Sequence, residues 1–163
     1  MGRVGGMGEA RLGVDLGRVV VGANRDARGR VFLDDPTKMP LIEGAFEVLP
    51  RLVERFKGQA WVISRISEEG EPMSLAWLEY HDFYGRTGIS RDRIRYCRLR
   101  EEKALHCAEL GITHMIDDRM DVHRAIRDIV PNRYLFGPQE EPGPDWVTPA
   151  LTWADVERVI GYP

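Results

Sequence analysis

The sequence predicts an α/β fold, a Rossmann-like three-layer sandwich built on a central parallel sheet of about five strands. Two observations carry this. Short apolar, β-branched runs alternate along the chain with longer stretches of helical period, which is the pattern of a parallel sheet covered on both faces. The length of 163 residues and the 43% hydrophobic content suffice for the core of one domain, residues 1–163, and not for two.

The elements follow in order. Residues 1–10, "MGRVGGMGEA", read as a flexible glycine-rich lead-in without the apolar core of a secretory signal. Residues 12–21 form the first strand, and the interval 22–40 holds a hairpin flap with "RDARGR" as its turn. Phe46, Leu49, Val53 and Phe56 keep helical spacing, although Pro50 removes a backbone donor and predicts a bend or a late start. A strand at 61–63 precedes a helix at 72–84 carrying Met73, Trp77, Tyr80 and Tyr84, and a strand at 94–97 precedes a helix with Ala104, Cys107 and Leu110. Strands at 113–116 and 133–136 come next, and 137–149, with "GPQEEPGPDW", reads as a linker. Thr152 and Asp155 then form a capping box that opens a terminal helix, 152–161, packing back on the domain.

Composition excludes several classes of function. The net charge of -3 argues against a general affinity for nucleic acid, which relies on surplus Lys and Arg. No run approaches the roughly 18 apolar residues of a membrane span. Cys97 and Cys107 fall in different elements and are expected to be reduced and buried, as in a cytoplasmic protein. His81, His106, His114 and His123 show no zinc-ligand spacing. Neither a GxxxxGK loop nor a GxSxG elbow is present. Of the 23 basic residues only Lys38, Lys57 and Lys103 are lysine, so the placement of each is informative.

Ligands of an open parallel sheet bind at the carboxyl ends of its strands. The residues there are Asp15 after the first strand, Ser64 after the second, Lys103 at the start of the helix after the third, and Asp117 with Asp118 after the fourth. Three carboxylates suit a magnesium ion, which takes hard oxygen ligands. A lysine and a hydroxyl beside them suit a phosphoryl group. Taken singly, each has a plainer use: Asp15 as a turn residue, Asp117 and Asp118 as caps of the next helix, Lys103 as an exposed helix residue.

In this order the four motifs resemble those of the haloacid dehalogenase superfamily of phosphohydrolases, over nearly all of residues 12–136. "GVDLG" matches the first aspartate of a strand ending DxD, "WVIS" a strand ending in Ser or Thr, "REEKALHCAELGI" a helix-borne lysine, and "HMIDDRMD" an acidic pair. The "IDDR" form is similar to that of the deoxynucleotidase-like branch. The resemblance implies Asp15 as nucleophile and Ser64, Arg65 and Lys103 as phosphate-binding groups. It further implies Asp15, Asp117, Asp118 and the Gly17 backbone carbonyl as magnesium ligands, with Asp121 as a weaker further candidate.

The second aspartate of the family's first motif is the general acid, and Gly17 stands in its place. A glycine still offers its carbonyl to a metal but cannot protonate a leaving group, which is worth about 10² to 10⁴-fold in rate. Arg18 stays protonated and is no substitute; Glu68, Glu69 or His81 would have to reach in from elsewhere. The expectation is therefore a magnesium-dependent phosphatase or phosphotransferase, nucleotidase-like or limited to good leaving groups. The alternative is a weak or inactive binding or regulatory module that keeps the phosphate and magnesium pocket.

The interval 66–102 holds only one helix and one strand, so the protein reads as capless. In the family that goes with a large phosphorylated substrate that closes the site, or with a homo-oligomer whose neighbour does so. Trp77, Tyr80, Phe83 and Tyr84 exceed what one sheet face needs and read as core packing ahead of a subunit interface. Arg91, Arg93 and Arg95 are expected on one face of a strand, as a charged edge that resists pairing.

Overall fold

The computed structural model describes residues 8–22 and 35–161. The tip of the expected flap, including "RDARGR", lies outside the described residues. A six-stranded, all-parallel sheet runs in the order β3-β2-β1-β4-β5-β6, one strand more than expected. Its strands are β1 (Leu12–Val14), β2 (Ala60–Arg65), β3 (Ile94–Cys97), β4 (His114–Asp117), β5 (Asn132–Phe136) and β6 (Thr148–Ala150). The unexpected strand is β6, which overlaps the end of the 137–149 linker reading. It pairs with β5 in spite of Pro149, a residue tolerated on an edge strand.

Side chains alternate across the strands, so neighbouring residues serve different layers. Leu12, Val14, Ala60, Val62 and Ile116 face one apolar layer; Trp61, Ile63 and Met115 face the other. The first layer is filled by α1 (Ala45–Arg55), α2 (Gly70–Tyr80), α3 (Phe83–Thr87) and α6 (Trp153–Val159), the second by α4 (Glu101–Leu110) and α5 (Met120–Ile126). Gly13 sits where a Cβ would meet Met115 Sδ at 2.7 Å, so a larger residue there would push the Met115 side chain out of this second layer.

Several boundaries differ from the expectation. β1 ends at Val14, not at residue 21, because the Leu16 carbonyl accepts the N–H groups of Val19, Val20 and Val21 and turns the chain. The chain comes back antiparallel, with Val21 bridged to Leu41. α1 runs through Pro50 from Ala45, with no late start. The single helix expected at 72–84 is two, broken at Asp82. That residue takes a left-handed φ of 50° and its side chain accepts from the Gly85 N–H. Trp77 and Phe83 are fully buried while Tyr80 stays exposed, so the aromatics serve mainly the core. Arg91 and Arg93 lie in a 3₁₀ turn before the edge strand β3, which leaves Arg95 alone of the three within it.

The Thr152–Asp155 capping box is present, and α6 is fastened at its first residue. The buried Trp153 indole donates to the Val19 carbonyl at 2.7 Å across 134 residues of sequence. Cys97 and Cys107 are free and buried. Among the described residues no helix is long and apolar enough to cross a membrane.

Candidate metal and phosphate centre

The strand order reverses between β1 and β4, the switch point at which an open parallel sheet leaves a crevice beyond its carboxyl ends. Val14 pairs with Ile116, so the next residues on the two strands are Asp15 and Asp117. The Asp15 N–H donates to the Ile116 carbonyl at 3.0 Å and fixes the chain as it leaves β1. One carboxylate oxygen from each of Asp15, Asp117 and Asp118 lies within 4.8 Å of the others.

Lys103 enters from the first turn of α4. Its Nζ lies 3.0 Å from Asp15 Oδ1 and donates to Asp117 Oδ2 at 2.7 Å. Both Lys103 and Asp117 are buried, and the second Asp117 oxygen accepts the Arg119 N–H at 3.0 Å. Asp15 is 6% exposed and Asp118 half-buried. Burial, and then the neighbouring Asp117, hold the Asp15 carboxyl well above the usual carboxylate range in spite of Lys103. The same two causes raise Asp118. For Lys103 burial acts downward, but the Asp15 and Asp117 charges outweigh it and keep the ammonium protonated.

This donor set fits a small divalent cation. The oxygens are hard, and three carboxyl groups face a single ammonium, so a cation would find more acidic than basic groups to balance it. Asp15 and Asp118 are raised first by burial and then by the neighbouring Asp117, a strain that a bound cation would relieve.

The other expected residues are placed as follows. Ser64 is buried on β2, two residues past Val62, which pairs with Val14; its carbonyl accepts from the Cys97 thiol. Arg65 is exposed and donates through Nε to the Arg98 carbonyl at 3.2 Å, beside the cluster and not in it. Gly17 is exposed, with nothing within 4 Å of where a Cβ would stand. Asp121 is drawn away from the cluster by Arg119 at 3.2 Å. Among the described residues, Glu68, Glu69 and His81 make no hydrogen bond or ion pair with the cluster; the His81 ring packs on Trp77 and Tyr80.

Two supporting residues were not anticipated. His123, fully buried on α5, donates through Nε2 to the Asp117 carbonyl at 2.9 Å. Gln139 donates to the Asp118 carbonyl at 3.0 Å from the segment after β5. The only sequence signal for His123 is its place between the apolar Val122 and Ile126, which is equally that of any core histidine. Gln139 carries no signal at all.

A scan against protein-family models returns no match to the chain, and a search of curated proteins returns none.

Proposed function

We propose that the chain is a magnesium-dependent phosphohydrolase or phosphotransferase of the haloacid dehalogenase type, with Asp15 as phosphoryl acceptor. One observation carries this reading. Asp15, Asp117 and Asp118 converge at the switch point of the sheet with a buried lysine bound to two of them. A chain of 163 residues tolerates so much buried charge most readily where a ligand uses it.

Asp15, Asp117 and Asp118 would hold the ion, which when bound offsets the charge of the phosphoryl oxygens. An ionised Asp15 oxygen attacks phosphorus, a new O–P bond forms, and the bond to the leaving oxygen breaks with its electron pair. Lys103 keeps Asp15 oriented and balances charge that builds up on the transferring group, and Ser64, buried near the carboxyl end of β2, would donate a hydrogen bond to it. Water then attacks the aspartyl phosphate, releasing inorganic phosphate and restoring Asp15. With Gly17 supplying no proton, the leaving group must depart as a stable anion, which favours acyl phosphates, aryl phosphates and anhydrides over alkyl esters.

The exposed, unfilled position at Gly17 also favours a second reading, a module that binds phosphate and magnesium without turnover. Phosphate release from acetyl phosphate, p-nitrophenyl phosphate and nucleoside monophosphates, with and without magnesium, separates the two. Magnesium-dependent release that vanishes in Asp15→Asn supports the enzyme. Magnesium binding without release from any of them supports the module.

A further inference from the structure

A cleft of about 150 Å³ opens between β2, α4 and α5, walled by Arg65, Arg98, Leu99, Arg100, Asp121 and Ala125 together with Glu101. We infer that this cleft is a subsite for a second anionic group of the substrate. The substrate would then be a phosphorylated small molecule that also carries a carboxylate or another phosphate. The identity of the first group rests on the phosphoryl-transfer reading above; the anion subsite is testable without it.

The arginines are held in place by the backbone. Arg65 donates Nε to the Arg98 carbonyl at 3.2 Å, and Arg98 returns Nη1 to the Ile66 carbonyl at 3.3 Å, so each side chain braces the other's segment. The wall sets three guanidinium groups against the carboxylates of Glu101 and Asp121. Arg98 is paired with Glu71 at 2.9 Å, and Asp121 is shared between Arg119 at 3.2 Å and Arg100 at 3.9 Å. Among the described residues Arg65 has no carboxylate partner, and its remaining guanidinium nitrogens are available to a planar or tetrahedral anion.

Position ties the cleft to the cluster. Arg65 follows Ser64 directly, and Arg100 precedes Lys103 by three residues, about 4.5 Å of helical rise. Asp121 opens α5 just beyond Asp117 and Asp118. Three of the segments that build the cluster thus run through the cleft wall, and Arg119, whose N–H donates to Asp117, pairs with Asp121 of that wall, which is the ground for assigning both to one substrate. The carboxylates of the cluster repel an anion when no cation is bound, which makes the cleft measurable alone.

The test is calorimetric titration of the full chain in EDTA with inorganic phosphate and, separately, oxalate, using Asp15→Asn and Arg65→Met/Arg100→Met at constant ionic strength. Saturable binding that persists in Asp15→Asn and weakens about tenfold in the arginine double variant supports the subsite. The stronger of the two anions then identifies the second group. No saturable binding, or binding indifferent to the arginines, overturns it. A folded double variant, checked by an unchanged melting temperature, excludes loss by unfolding. Arginine-dependent binding in a protein that releases no phosphate from any substrate would sink the phosphoryl reading and leave the subsite standing.

Discussion

Lys103 and Asp117 meet at 2.7 Å with side chains 2% and 0% exposed, one from the first turn of a helix and the other from the last residue of a central strand. A buried pair of this kind is costly to break, because the partner left behind stays out of water and uncompensated.

Lys103→Met should therefore destabilise the protein by about 3 to 5 kcal/mol in EDTA near pH 8, read from urea unfolding. Adding magnesium should recover part of that loss, since a divalent ion replaces the missing charge. A loss below about 1 kcal/mol, or no recovery with magnesium, contradicts the account of the cluster.

Magnesium should raise the melting temperature of the wild type. At a hundred times its dissociation constant a ligand adds about 2.7 kcal/mol, worth roughly 5 to 10 °C for a domain of this size. Asp118→Asn should remove most of the shift. Calcium and magnesium titrations followed by differential scanning calorimetry check this, and an unchanged melting temperature in both ions counts against a metal centre.

Gly17→Asp is a gain-of-function test. Nothing lies within 4 Å of the new Cβ and the position is exposed, so stability should change by no more than about 0.5 kcal/mol. Under the proposed chemistry, turnover of nucleoside monophosphates should rise by about 10² to 10⁴-fold, with a much smaller gain on acetyl phosphate. Equal gains on both would show that the missing acid is not what limits the wild type.

The acid limb of stability should depend on His114. Burial lowers its pKa in the fold, between the Phe56 and Tyr134 rings, so below about pH 6.5 the unfolded chain takes up a proton that the native one refuses. Stability is lost as pH falls, at up to about 1.4 kcal/mol per pH unit for one such group. The raised Asp15 and Asp118 slope the opposite way above about pH 4, so the comparison that matters is wild type against His114→Phe. Urea midpoints between pH 8 and 5 should show a shallower fall in the variant; parallel curves would refute the assignment.

What was legible in the sequence follows from how local each signal is. Lys103 stood out because lysine is scarce in the chain, and Asp15 and Asp117 because each directly follows a buried apolar run. The break between α2 and α3 was hidden: the aromatic spacing continues through it, and the side chain of the left-handed Asp82 caps α3 by accepting the Gly85 N–H. β6 was masked by the prolines and glycine around it, and only pairing with β5 reveals it. His123, Gln139 and the arginine cleft depend on contacts between segments far apart in sequence, which no window of sequence contains.

The bond from Trp153 to the Val19 carbonyl also orders events during synthesis. The turn after Asp15 is synthesised first, and its buried partner is made 134 residues later. At about 5 to 20 residues per second that delay is on the order of ten seconds. Throughout it, the turn after Asp15 lacks its lock and the apolar side chains of α1 wait without α6. A nascent chain is thus more exposed to chaperones and proteases until α6 emerges, and the sheet end that carries the carboxylate cluster is fastened only then.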